Sequence, residues 1–400
     1  MKFRRALLIL TMTAPLFAHA EGGVLGFIKK VGATIDTMTI RGVDRRYIEM
    51  PKKPWQVIIQ GNINQSVLKM DAQVDAFRMD KLSRDNPYDE AFGDLSWEPR
   101  IKTPITAYAG VWAGYRGYGF GYSKNIGGDD GNIIKFGLIG SSYGATLRIH
   151  QFSTKRPTVD AKNNKTDEKV IFEYPLEDPI HVRLMTFDAY YFFNGKRCSY
   201  TAAYDQSVIQ RRSSGSLMVG AMYYHSTINF AEDRNAEFIY LMNDIGKTKH
   251  YQISLGGGYA YNWVPCKGLL VSGLGLLMLT AFNRLDVWRY NSNFRQYFMG
   301  EIESINDIPA GSLDPMNKDR MSVDQDLKDN LRVWPMEDNA CEQQHSRVIP
   351  VIDAHLSVTY NVGNWFFNTN AQMHRFSFKY DEDKGMLTDW YINASVGLRL

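Results

Sequence analysis

The 400 residues hold 46 Lys plus Arg against 43 Asp plus Glu, with 13% aromatic residues (23 Tyr, 21 Phe) and 33 Gly. A mean hydropathy of −0.32 is far too polar for a bundle of membrane helices, and the near balance of charge leaves no basic excess for nucleic acid. Three widely spaced cysteines, Cys198, Cys266 and Cys341, support neither a disulfide framework nor a zinc site, although one bridge, Cys198 to Cys266, stays open.

The chain starts with the basic stretch Met1 to Arg5, an apolar run from Ala6 to Phe17 and the small-x-small triplet Ala18-His19-Ala20. That is the pattern of a signal peptide, residues 1–20, cut after Ala20. The apolar run is shorter than the roughly twenty residues an anchor helix needs, and no Cys near the cut offers a site for lipid. Cleavage removes Lys2, Arg4 and Arg5 and no acidic residue, so the remainder is formally neutral. In residues 21–54, Val24, Phe27, Ile28, Val31 and Ile35 recur at helical spacing before Pro51 to Pro54 breaks regular structure. A short amphipathic helix in a periplasmic N-terminal segment is expected there.

From residue 55 the period changes to two. Trp55, Val57, Ile59 and Ile63 alternate with Gln56, Gln60, Asn62 and Asn64, so one face of a strand is apolar and the other carries amides. A soluble edge strand shares that pattern, and only repetition distinguishes the two. Strands are predicted at Ile105 to Tyr115, Gly117 to Asn125, Ile133 to Gly140, Tyr143 to Phe152, His181 to Phe193 and Leu217 to Ile228. In Gly117 to Asn125 the glycines Gly117, Gly119 and Gly121 face inward and are expected to leave space there. In Tyr251 to Trp263, Gln252 and Asn262 oppose an aromatic and aliphatic face. Leu269 to Phe282 is nearly all apolar, but Gly268, Gly273 and Gly275 and its length below a membrane helix favour strand. Val348 to Asn361, with Asp353 and His355 on its polar face, Trp365 to Lys379, with His374, and Leu387 to Leu400, with Asn393, complete about twelve strands, ten to fourteen being compatible.

The connections alternate between long and short, the pattern of an outer-membrane barrel with tight periplasmic turns, long outer loops and an even strand number. The final strand keeps its apolar alternation to Leu400, as a closing strand would. The expected fold is therefore all-β: a transmembrane antiparallel barrel over residues 55–400 in the outer membrane of a Gram-negative bacterium. Its partners would be outer-membrane lipid and, during biogenesis, the barrel assembly machinery. One connection breaks the rule. Gly195 to Ser213 is long where a short turn is due, and carries Lys196, Arg197, Arg211 and Arg212 beside Tyr200, Tyr204, Asp205 and Gln206. Charges and backbone groups of this kind cannot cross lipid unpaired. Either the segment extends its flanking strands as a periplasmic hairpin, or it folds into the lumen as a partial plug, its arginines pairing with Asp353, Gln252 and Asn393. The plug is favoured.

The run Tyr190 to Ser207 (YYFFNGKRCSYTAAYDQS), then Gln210 to Ser216 (QRRSSGS), and the approach Asp44 to Pro51 (DRRYIEMP) resemble an uncharacterised family of Bacteroidetes-type bacteria, domain-of-unknown-function family 4421. Cys198 and Thr201 depart from its pattern, where an aromatic and a proline are expected. The resemblance implies an outer-membrane β-barrel and no established activity.

Catalytic and metal signals are weak. His225 and Ser226 are adjacent and so face opposite sides of a strand, which denies them a nucleophile and base arrangement without a bulge. Asp353 and His355 share a face and His374 lies in the next strand, a set expected to brace the lumen wall through hydrogen bonds. Asp324, Asp326 and Asp329 lack the glycine and terminal glutamate of a calcium loop. Gly127 to Gly131 is a turn, not a phosphate cradle. No cofactor, metal or catalytic residue is expected. The expected role is passage or binding of a small or lipidic molecule whose identity is unspecified, with lumen-facing candidates Gln56, Gln60, Asn62, Gln252, Asp353, His355, His374 and Asn393. A membrane-embedded lipid hydrolase and an interaction protein acting through its long loops are the alternatives.

Overall fold

A computed structural model of the chain describes residues 42–71, 100–128, 130–162, 169–173, 175–176, 179–229, 245–289, 341–345, 349–380 and 383–400. In chain order its elements are β1 (Ile48–Glu49), β2 (Trp55–Asp71), β3 (Arg100–Lys102), β4 (Thr106–Tyr115), β5 (Tyr118–Gly127), β6 (Gly131–Ile139), β7 (Tyr143–Thr154), β8 (Thr158–Lys162), β9 (Lys169–Glu173), β10 (Ile180–Phe192) and α1 (Tyr200–Tyr204). There follow β11 (Ile209–Gln210), β12 (Ser214–Asn229), β13 (Ile245–Cys266), β14 (Leu269–Arg289), β15 (Cys341–His345), β16 (Pro350–Val362), β17 (Trp365–Tyr380) and β18 (Asp383–Arg399). The expected signal peptide, the helix expected at Val24 to Ile35, Asp324 to Asp329 and most of the connection after β14 lie outside the described residues.

Among the described residues twelve strands close an antiparallel barrel, β2, β4, β5, β6, β7, β10, β12, β13, β14, β16, β17 and β18, with β18 pairing back onto β2. That last pairing runs unbroken from Lys384 opposite Asp71 to Arg399 opposite Gln56, and it removes the two free edges an open sheet would expose to lipid. The short strands β3, β8 and β9 extend the sheet beside β2, β15 adds to β14, and β1 pairs with β11 apart from the barrel.

Turn chemistry sets one rim. Arg116 (φ 54°) and Gly117 (φ 91°) both adopt left-handed backbone between β4 and β5, the requirement of a two-residue hairpin whose twist matches its strands. Residues 140–142, Lys267-Gly268 and Gly363-Asn364 make the other tight turns at this rim, and the longer connections leave from the opposite one, where β5 and β6 are nevertheless joined by 128–130 alone and β17 pairs with β18 as far as Tyr380 and Asp383. The connection 193–213 shares the short-turn rim.

Alternation decides what each strand shows to the outside. Trp55, Val57, Ile59, Ile253, Leu255, Ile352, Leu356, Ile392 and Val396 are exposed, with Ile59 at 70% and Leu356 at 64%, whereas Gln56, Gln252, Asn262, Asp353 and Asn393 are buried; Leu398 is half-buried. Exposed Trp55, Phe193, Trp263 and Trp365 gather at the short-turn rim, and exposed aliphatics such as Val111, Leu277 and Leu356 lie farther along the strands. An aromatic girdle bounding an aliphatic band is the outer face of a barrel in lipid.

One expectation is corrected and one open possibility is closed. The inward glycines of β5 do not leave the interior open: Trp112 of β4 fills the place, and a Cβ on Gly119, Gly121 or Gly137 would lie 2.6–2.8 Å from its ring. The pocket they make is the seat of that indole, because a barrel this narrow packs its large side chains into whatever the small ones vacate. The cysteines are all free, Cys198 buried and Cys266 exposed, so the Cys198 to Cys266 bridge is absent. The apolar stretch beginning at Leu269 is indeed a strand, but it runs on to Arg289.

Leu356 is exposed on the apolar band six residues from the short-turn end of β16. Leu356→Arg should therefore cost roughly 2–4 kcal/mol of folding stability, the range for arginine near the bilayer midplane, measured by urea titration in lipid vesicles. A loss below about 0.5 kcal/mol would remove Leu356 from the lipid band.

Candidate functional site

Among the described residues, the barrel interior is built by the inward positions of each strand together with the connection 193–213. Asn194 starts that connection, its side-chain amide donating to Gly215 O (2.9 Å) while its own carbonyl accepts from Arg197 N and Cys198 N (3.0 and 2.9 Å). Ser199 then caps α1, its Oγ accepting from Ala202 N at 3.2 Å, so one of the first-turn donors is satisfied where no water reaches. The helix is a little over one turn and ends on Gln206, whose left-handed φ of 62° is the usual reversal after a helix C-terminus. The chain leaves along β11, paired with β1.

Ser199 to Ser207 is buried except for Tyr204, which is half-buried. The barrel wall satisfies its carbonyls: Gln56 Nε2 donates to Asp205 O (2.9 Å), Asn262 Nδ2 to Ser199 O (2.9 Å), Ser357 Oγ to Ala203 O (2.7 Å), and Arg399 Nε and Nη2 to Gln206 O (3.1 and 2.6 Å). These donors come from β2, β13, β16 and β18, so the segment is held from several sides at once. Tyr200 packs on Tyr190 and Phe192 with ring centroids 5.6 and 5.5 Å apart. It crosses Gly144 so closely that a Cβ there would lie 2.2 Å from its ring; no larger residue fits.

The cations of the segment go elsewhere than expected. Arg197 meets Asp44 (3.4 Å) and Arg211 meets Glu49 (2.9 Å). Arg197 and Arg212 lie over the Tyr47 ring, and Lys196 is exposed. None pairs with Asp353, Gln252 or Asn393. The helix between them carries no charge, so it can enter while the basic residues at both ends of the loop stay in water, which avoids their desolvation.

Deeper in, side chains meet across the bore. Arg148 of β7 reaches Asp389 of β18 (3.3 Å), with Ser66 Oγ donating to the same carboxylate (3.0 Å). Tyr190 of β10 donates to Asp353 Oδ2 of β16 (2.7 Å), and Tyr224 of β12 stacks on Phe376 of β17 at 3.9 Å. Each pair joins strands four or five places apart around the ring. Asp353 also holds His355 Nε2 at 2.8 Å, with His374 Nδ1 at 3.0 Å from the same oxygen. These three are brought together as their spacing predicts, and Tyr204 brings the inserted segment to them, its ring centroid 5.6 Å from that of His355.

The amides form a second group. Asn393 Nδ2 donates to Asn62 Oδ1 (2.6 Å), and Gln60 and Asn62 both donate to Ser123 Oγ (3.1 and 3.3 Å). Gln252 stands apart, donating to Ser254 and Thr280. A cavity of about 20 Å³ lies among Gln60, Asn62, Lys135, Arg148, Tyr391 and Asn393, room for about one water by the usual requirement. His225 and Ser226 face opposite sides of β12 as expected; its register with β13 is unbroken there, and His225 stacks on Tyr251. Sequence inspection missed Arg148, Tyr190, Asp389 and Arg399 as site residues, although each occupies an inward position of its alternating strand.

The family model described as Domain of unknown function (DUF4421) matches residues 103–398. The chain belongs to that family. No curated protein matches it. Solved structures similar to this DUF4421 chain include the outer membrane protease OmpT from Escherichia coli (7% identity, 88% of this chain and 97% of that one, TM-score 0.34). Others are the outer membrane protein OprG from Pseudomonas aeruginosa (11%, 86% and 96%, 0.25) and the Pseudomonas putida toluene transporter TodX (8%, 88% and 90%, 0.26). Likenesses this faint carry no functional meaning for the DUF4421 barrel.

One group of the inserted segment titrates in an accessible range. Burial pushes the Asp205 carboxyl from 3.8 up to about 6, against the pull of Ser207, Gln56 and Lys135. A folded-state value raised above the unfolded one stabilises the seated segment fully below about pH 4, a contribution lost as pH rises through about 6. Asp205→Asn should therefore raise the urea midpoint at about pH 7.5 and leave it nearly unchanged at about pH 4. An equal shift at both pH values would show that the substitution acts through packing alone.

Proposed function

We propose that this DUF4421 protein is a non-enzymatic outer-membrane barrel, closed at rest, that binds or passes a small or lipidic molecule when the segment 195–213 withdraws from its mouth. The barrel sits in the outer membrane of a Gram-negative cell after cleavage of its signal peptide behind Ala20, with the short-turn rim toward the periplasm. One observation carries the reading. The inserted helix is uncharged and capped, and the backbone of its segment is held by side chains of four different strands, while the cations of the loop remain at the rim. An element seated in this way blocks the bore without being part of the wall. The interior behind it is mixed, with amides and ionisable groups such as Gln60, Asn62, Arg148 and Asp353 beside a buried apolar cluster that includes Leu184, Met222, Leu276 and Phe376.

Planar-bilayer recordings of the wild type and of a variant lacking Ser199 to Gln210 test this. The wild type should conduct weakly and the deletion variant several-fold more, with folding of both checked by heat-modifiable gel mobility. Unchanged conductance from a folded deletion variant, or a large steady conductance from the wild type, would overturn the proposal. Arg399→Gln, which removes the donor to Gln206 without shortening the chain, should raise the frequency of opening events.

A further inference from the structure

Asp353 and His355 are two residues apart on β16 and so share a face, and His374 stands directly opposite Asp353 on β17. The three side chains are 0–3% exposed, and one donor atom from each lies within 4.8 Å of the other two. His355 Nε2 and His374 Nδ1 both converge on Asp353 Oδ1, at 2.8 and 3.0 Å, while Tyr190 takes Oδ2 from across the bore.

A purely hydrogen-bonded brace accounts for only part of this. His355 and Tyr190 are aligned with the carboxylate, but His374 Nδ1, though 3.0 Å from Oδ1, makes no hydrogen bond and is buried. The local charge points the same way. Asp188 is buried nearby with Oδ1 unpartnered, Arg148 is committed to Asp389, and Lys135, the other cation of the layer, lies over the Trp112 ring. Among the described residues no Lys or Arg pairs with Asp353. A buried layer with carboxylates in excess of fixed cations is completed by a bound cation.

We propose that Asp353 Oδ1, His355 Nε2 and His374 Nδ1 form a site for a divalent transition metal of the zinc or cobalt class. Two imidazoles and one carboxylate suit these borderline ions, whereas calcium and magnesium prefer oxygen donors throughout. Metal bonds of about 2.1 Å in a tetrahedron place donors roughly 3.4 Å apart. The two nitrogen–oxygen spacings need to widen by only about half an ångström, a small swing of one carboxylate. The Tyr190 hydroxyl, 2.7 Å from Oδ2, is placed to hold that carboxylate in orientation. The ion would tie β16 to β17 and, through Tyr190, to β10 across the bore. The inference is independent of whether the barrel conducts.

Untagged full-length protein, refolded from urea into detergent with one equivalent of Co²⁺ or with chelator, provides the test. The wild type should retain about one Co²⁺ per chain through gel filtration, with the intense visible absorption of a four-coordinate site, and Zn²⁺ should displace it. His355→Ala and His374→Gln should each abolish the absorption, and Tyr190→Phe should weaken binding roughly 10- to 100-fold. Folding of every variant is read from heat-modifiable mobility. The wild-type spectrum decides even where a variant fails to fold: no retained Co²⁺, or only the weak absorption of a six-coordinate ion, overturns the proposal. Equal uptake by folded His374→Gln also overturns it.

Discussion

Everything in this structure depends on the absence of water partners for backbone groups in lipid. A strand that cannot hydrogen-bond to solvent must pair on both sides, so the sheet has to close, and the continuous register of β18 on β2 meets that demand. Closure fixes the inward and outward sense of every strand. The outward apolar positions then have lipid as their sink, and the amides and ionisable groups share the bore with an inner apolar cluster.

The same rule operates again inside the barrel. A segment inserted into the bore brings carbonyl groups that no longer see bulk water, and the wall supplies the donors: Gln56, Asn262, Ser357 and Arg399. Helix α1 is short, so few of its own bonds are available. The wall donors are therefore needed to make the insertion affordable, and Gly144 provides the clearance for Tyr200. Charge is sorted by the same logic. Cations of the loop stay at the rim with Asp44 and Glu49, where exposed pairs contribute little but cost little. Buried Arg148 meets its partner Asp389 across the bore.

A barrel of twelve strands is wide enough to need filling and narrow enough to be filled by side chains reaching from opposite walls. Trp112 in its glycine seat, Tyr224 on Phe376 and Tyr190 on Asp353 do this at different places. With α1 seated, the described interior is thus packed by polar and apolar side chains together. The residual cavity beside Lys135 and Arg148 is small in consequence.

What the amino-acid sequence determined by itself was everything governed by the period of two and by turn chemistry. Ile59 outward and Asn62 inward, the tight turn at Arg116-Gly117, the shared face of Asp353 and His355, and the anomaly of the long connection after β10 are all local properties of the chain. Only the tertiary structure decided which inward residues meet. Parity says that Tyr190 and Asp353 face the bore but not that they touch, because their contact depends on barrel diameter and on strand stagger, neither of which a single strand encodes. For the same reason β5 with its inward glycines looked like open space until Trp112 was seen lying across it. The arginines of the inserted segment looked like partners for buried carboxylates. Their actual partners, Asp44 and Glu49, precede the first barrel strand, and it is the closure of the barrel that carries the segment back beside them.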